Sequence, residues 1–205
     1  MFFKKSAAEG ILYRNSFLYM LVTFVKLRSK NNLRFQIASQ FISPGESVLD
    51  VASGGGWLRD YIPDSCRYTC VEVGDAFIQS LTKRGVSFIK MNLHQGMGEL
   101  KQNYDTVVMI ISLYQFRYTS LDQLMSQFKE IANKVVIVEE VSISENNKLT
   151  IKDKVLNYLC QSEHFMPTKI LTAHEFSAIC KKHGYEVKID AHKNNYMIAT
   201  YTGAY

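Results

Sequence analysis

A chain of 205 residues with 47% hydrophobic and 21% charged residues has the make-up of one globular domain with a sizeable core, which excludes a disordered or low-complexity protein. The formal charge of +5 is modest. Its bias lies at the N-terminus, where Lys4, Lys5, Arg14, Lys26, Arg28, Lys30 and Arg34 face only Glu9, and it reads as a solvated basic face. Cys66, Cys70, Cys160 and Cys180 form no CxxC pair and have no zinc-like spacing with the histidines, which points to reduced thiols in a cytoplasmic protein.

Taken in order, the chain opens with a helical cap over 1–42. Its apolar run "SFLYMLVTFV", residues 16–25, is too short for a bilayer, which needs roughly 20 residues, and no small-residue cleavage site follows it. It reads as a packed or interfacial helix. In "NNLRFQIASQFI", Leu33, Ile37, Phe41 and Ile42 recur at helical spacing, and "SPGE" ends the segment as a turn. A cofactor-binding half spans 43–141. "SVLDVA" is a buried strand, "GWLRDYIP" a short helix stopped by Pro63, and "RYTCVEV" a second strand. "DAFIQSLTKRG" is a helix with Asp75 at its start and Gly85 just past its end; "VSFIKM" and "DTVVMII" are further strands. "SLDQLMSQFKEIANK" is a helix whose Ser120 and Gln123 have capping-box spacing, and "VVIVEE" is a continuous apolar strand.

Residues 142–171 exceed an ordinary connection and read as a rim insertion with a helix in "IKDKVLNYLCQS". Residues 172–205 close the chain. There "TAHEFSAICKKHG" is a helix with the box Thr172–Glu175 and a Leu171/Phe176 staple, and "EVKIDA" and "NYMIATY" follow as strands joined too briefly to lie parallel. Strands alternating with helices predict a single α/β domain: a doubly wound, seven-stranded, mostly parallel sheet with a C-terminal antiparallel hairpin.

In such sheets ligands bind beyond the carboxyl ends of the strands, where strand order reverses. The first strand ends in Asp50-Val-Ala52-Ser53-Gly54-Gly-Gly56-Trp57, and glycine there permits positive φ and close backbone approach. Glu72 closes the second strand, suited to accept from both hydroxyls of a ribose, and Asn92 closes the third, where an amide can pair with an adenine edge.

These residues resemble the class I S-adenosylmethionine-dependent methyltransferases, whose first motif runs acid-x-Gly-x-Gly-x-Gly. The likeness spans roughly 36–201, with Ala52 for the usual first glycine and Asn92 for the usual aspartate. The resemblance implies S-adenosylmethionine as cofactor, S-adenosylhomocysteine as product and the Rossmann-like methyltransferase fold. It places Ala52, Ser53, Gly54 and Gly56 against the methionine part, with Asp50 near its amino group and Trp57 bordering the turn. Glu72 would take the ribose, Val73 would pack on the adenine, Asn92 and Leu93 would hold its edge, and Ser112 would line the methyl-donor end. A nicotinamide-dependent oxidoreductase competes for a glycine turn, but Arg59 stands where its third glycine belongs and a pyrophosphate would have to pass Trp57.

Methyl transfer from a sulfonium needs placement and water exclusion more than a catalytic triad. If the acceptor is a hydroxyl of high pKa, a base helps, and His94, Glu139, Glu140 and His164 are the candidates, with Glu140 and His94 expected as catalytic residues. "ISLYQF" after the fourth strand lacks the Asn/Asp-Pro-Pro-aromatic stretch of many methyltransferases acting on bases and glutamine, and no basic stripe with interleaved aromatics is present; no nucleic-acid partner is expected. Aromatic residues cluster instead in the N-terminal helix and after strand four, and Tyr13 and Tyr114 are expected to line a pocket for a small-molecule acceptor. The expected reaction is transfer at O or N. The alternatives are a lipid or quinone methyltransferase docking on membranes through residues 11–28, and a cofactor-binding protein without methyl transfer. No metal is expected, and monomer and homodimer stay open.

Overall fold

The computed structural model describes residues 32–98, 100, 103–142, 170–189 and 195–203. The predicted helix over 16–25, Tyr13, the rim insertion from 143 on with His164, and the turn between the last two strands lie outside them.

The strands are β1 (Ser47–Val51), β2 (Arg67–Glu72), β3 (Ser87–Lys90), β4 (Tyr104–Ile110), β5 (Ala132–Glu140), β6 (Glu186–Ile189) and β7 (Tyr196–Thr202). They form one sheet in the order β3-β2-β1-β4-β5-β7-β6, parallel from β3 through β5 and antiparallel at β5–β7 and β6–β7. The architecture is the expected one. β1 is buried at every position because both sheet faces are covered.

Side-chain alternation divides the core into two halves. Leu49, Val51, Val107, Met109, Val135 and Ile137 pack with α3 (Leu121–Ile131) and α4 (Ala173–Lys182). Val48, Cys70, Val108, Val136 and Val138 pack on the other face with α1 (Leu33–Ser39), with Leu58 and with Leu81 of α2 (Asp75–Lys83). α1 buries Arg34 and Phe35 as well as the expected Ile37. The Arg34 guanidinium lies over the Phe35 ring at 4.7 Å, and Phe35 stacks on Tyr61 at 5.4 Å.

Three local readings are refined. "WLRDY" is a 3-10 helix (Trp57–Tyr61), entered from Gly56 in the left-handed region. Thr172 and Glu175 form the reciprocal capping box. Ser120 and Gln123 do not, because the Ser120 hydroxyl donates instead to the Leu93 carbonyl at 3.2 Å. A tertiary bond thus takes the place of a local cap and ties the start of α3 to the loop after β3.

Strand order reverses between β1 and β4, and among the described residues the two non-glycine residues with positive φ flank that point: Ala52 (φ 54) and Ile111 (φ 49). A β-branched residue is a genuine outlier there, and such strain clusters where a chain is shaped for a ligand. Gly54 (φ 57) and Gly56 (φ 66) continue the turn. A Cβ on Gly56 would sit 2.7 Å from Leu81 Cδ2 and 3.0 Å from Cys70 Sγ; one on Gly55 would sit 2.6 Å from the Trp57 ring. Gly56 is therefore required by packing as well as by backbone conformation, and Gly55 by packing alone.

Ala52→Gly should stabilise the protein by about 0.5–1 kcal/mol in urea unfolding, the relief of left-handed strain less the entropy of a freer chain. Gly56→Ala should destabilise it by about 2–4 kcal/mol, combining overpacking with strain. A Gly56→Ala midpoint equal to that of the parent would show that the turn is not packed as described.

Candidate functional site

The glycine turn is held by a carboxylate together with the Arg84 guanidinium, which donates to the Gly55 carbonyl at 2.7 Å, and the Ser53 amide, which donates to the Val71 carbonyl at 3.3 Å. Glu72, the last residue of β2, accepts the Gly54 amide on Oε2 at 2.8 Å, and the amides of Val73 and Gly74 on Oε1 at 2.8 and 2.9 Å. The turn after β1 and the turn after β2 therefore share an anchor. Burial raises the Glu72 pKa, and the three amides oppose that shift by favouring the anion. A carboxylate has about four lone-pair sites, so Oε1 is filled and Oε2 retains one. The ribose role drawn from sequence thus narrows to one further donor while the Gly54 bond persists.

Asp50 lies two residues before Ala52, buried, with its carboxyl receiving the Tyr68 hydroxyl. Burial pushes its pKa up to about 7, the Tyr68 bond opposes that, and the nearby Glu72 charge adds to it. The Cys70 thiol between them is also driven up, to about 12, chiefly by burial, so it is not a nucleophile at neutral pH. The Ser53 hydroxyl is buried beside the Cys70 thiol. Trp57 turns its ring back beside Gly54 and Gly55 and meets Phe77 edge-on at 6.2 Å, so it backs the turn.

β3 ends at Lys90, and Asn92 lies just beyond it as the cap of a 3-10 helix (Leu93–Gln95). Its Oδ1 accepts the His94 amide at 3.1 Å, which leaves the amide NH2 as the group to face a ligand. Leu93 is buried in the core, so its contribution to a ligand would come from backbone. Val73 is half-buried and follows the Glu72 anchor directly.

On the other side of the switch point, the chain after β4 turns through Ile111 into Ser112 and a 3-10 helix (Leu113–Phe116). Ser112 is buried and donates to the Ile110 carbonyl at 3.1 Å. Tyr114 is half-buried against the core on that helix. His94 reaches the same segment, its Nδ1 2.7 Å from Thr119 Oγ1 and its ring 4.8 Å from that of Phe116. The structure therefore brings His94, Ser112 and Tyr114 to one loop cluster.

Glu140 is not part of that cluster. It is half-buried at the end of β5, paired across the ladder with Tyr196, and alternation puts it on the α1 face with Val136 and Val138. Glu139 points to the opposite face, is fully buried, and accepts the Leu113 amide at 2.8 Å. Sequence reasoning named Glu139 as a possible base but missed this anchoring contact. Among the described residues no cluster of His, Cys, Asp and Glu is arranged to hold a metal ion, and no helix is long and apolar enough to cross a membrane.

Solved structures share this architecture at low sequence identity. A DhpI–SAH complex superposes with a TM-score of 0.68 at 17% identity, covering 97% of this chain and 100% of that one. The pyocyanin biosynthetic protein PhzM gives 0.66 at 17% identity, covering 91% of this chain but only 58% of its own. A SAM-dependent methyltransferase of Thermotoga maritima, described as a possible histamine N-methyltransferase, gives 0.62 at 13% identity, with 94% and 97% covered. Among curated proteins none matches the chain in sequence. The fold is thus that of class I S-adenosylmethionine-dependent methyltransferases, and with residues 32–196 matching the family model described as "Methionine biosynthesis protein MetW", the chain belongs to the MetW family.

Proposed function

We propose that this protein is a cytoplasmic S-adenosylmethionine-dependent methyltransferase acting at O or N of a small-molecule acceptor. The observation that carries the reading is the Glu72 anchor, which fixes the Ala52–Gly56 turn beside the switch point with one lone pair still open. The residues fit that cofactor. Glu72 Oε2 has a lone pair left for a ribose hydroxyl, the Asn92 amide would meet an adenine ring nitrogen, and the buried Ser53 hydroxyl lies in the turn that would meet the amino-acid tail. The description of the family as methionine biosynthesis proteins agrees with a ligand built on methionine.

S-adenosylmethionine supplies an activated methyl group whose transfer is an in-line displacement. The chain's contribution is placement. Backbone at Ala52–Gly54 leaves space for a ligand, and Val73 offers an apolar flank. The segment from Ser112 to Phe116 closes the opposite side, with Tyr114 as the aromatic group nearest an incoming acceptor. His94 is the base best placed for that acceptor, because it shares a loop cluster with Ser112 and Tyr114; Glu140 lies on the α1 face with Val136 and Val138. Asp50 is already bonded to Tyr68, so its part is to stiffen the end of β1.

Glu72→Gln keeps the side-chain volume but offers one acceptor oxygen to three amides. Calorimetric titration with S-adenosylhomocysteine should show affinity reduced by about 1–3 kcal/mol, the scale of a lost charged acceptor. A folded variant with parental affinity would overturn the ribose assignment. Purified protein supplied with the cofactor and a small-metabolite extract should form S-adenosylhomocysteine together with a product heavier by one CH2. Tight cofactor binding without either product would favour a protein that binds the cofactor and transfers no methyl group.

A further inference from the structure

We propose that Glu139 is a positioning residue whose buried carboxyl clamps the segment after β4 and so shapes the acceptor side of the site. The functional half of this statement rests on the methyl-transfer reading; the clamp itself does not. Consecutive residues of β5 hold the segment: the Val138 carbonyl accepts the Ile111 amide at 2.8 Å, and Glu139 Oε2 accepts the Leu113 amide at 2.8 Å. Between those two bonds the chain passes through the left-handed Ile111, a conformation that an isoleucine adopts only when its surroundings impose it. The 3-10 helix carrying Tyr114 starts at the clamped residue, and Leu113 and Phe116 seal it to the core.

Glu139 is fully buried, its Oε1 has no partner, and no cation pairs with it among the described residues. An apolar residue would fill this site at far lower desolvation cost, so packing does not account for an acid here. What the carboxyl supplies is an acceptor for an amide that the left-handed turn would otherwise leave buried and unbonded. The groups facing it are the Cys180 thiol of α4, Tyr196 of β7, Glu140 on its own strand, and the Leu113 and Tyr114 amides. With no counter-charge, burial pushes its pKa up to about 8, which favours the neutral acid.

The sign of the pH dependence follows. The closed segment retains the proton up to about 8, whereas an opened, solvated Glu139 releases it at the ordinary 4.5, so rising pH favours opening until about 8 is passed. The test is amide hydrogen exchange over residues 111–116, read against pH and corrected for intrinsic rates, in the parent, Glu139→Gln and Glu139→Leu. Protection of the Leu113 amide should fall in the parent as pH rises to about 8. Glu139→Gln should retain protection without that step, and Glu139→Leu should lose at least about tenfold at all pH values, the scale of one hydrogen bond near 1.4 kcal/mol. Parental protection in a folded Glu139→Leu variant, or the same pH step in Glu139→Gln, would overturn the clamp. Titration with S-adenosylhomocysteine runs beside it: a parent that fails to bind refutes the cofactor reading, while the exchange data still decide the clamp.

Discussion

The cofactor reading of this molecule depends on the hydrogen bonds between Glu72 and the amides of Gly54, Val73 and Gly74. A turn with left-handed residues at 52, 54 and 56 has no regular backbone ladder to hold it. A carboxylate at the end of the neighbouring strand replaces that ladder. Conformation and packing explain the glycines: Gly54 and Gly56 have positive φ, Gly55 must leave room for the Trp57 ring, and Gly56 must pass Leu81 and Cys70. The stretch is thus a backbone surface fixed from behind by packing and from the side by Glu72 and Arg84.

Acids recur along the same end of the sheet, two of them buried and Glu72 half-buried. Asp50 near the end of β1, Glu72 at the end of β2 and Glu139 next to the end of β5 all have pKa values raised by burial. Each is tied to a hydrogen-bond donor: Tyr68 hydroxyl, three backbone amides, and the Leu113 amide respectively. The two that hold loops, Glu72 and Glu139, stand on either side of the switch point. One fixes the glycine turn after β1 and the other the turn after β4. The molecule spends desolvation energy where the backbone leaves regular structure, which is where a site must be rigid.

Much of this was legible in the sequence because the governing patterns are local. Continuous apolar runs marked the buried strands, the Thr172–Glu175 box marked the last helix, and a short link forced the last two strands antiparallel. What escaped detection depended on distant partners. Ser120 has the local spacing of a cap, yet its hydroxyl bonds Leu93 across the fold. Nothing in "MIISLY" announces a left-handed isoleucine, because the conformation is imposed by Val138 and Glu139. Adjacent glutamates at 139 and 140 look alike in sequence, and only the parity of β5 sends one into the core and leaves the other on the α1 face. Asn92 was found by position, but its capping bond to the His94 amide was not.

The account is tested most directly by mapping where S-adenosylmethionine touches the protein, through backbone amide shifts in an NMR titration. It predicts saturable shifts at Gly54, Val73, Gly74 and the residues following Asn92, with the Leu113–Phe116 segment responding and the far ends of the strands silent. Saturable binding that leaves Gly54 and Val73 unmoved, or no saturable binding at all, would contradict it.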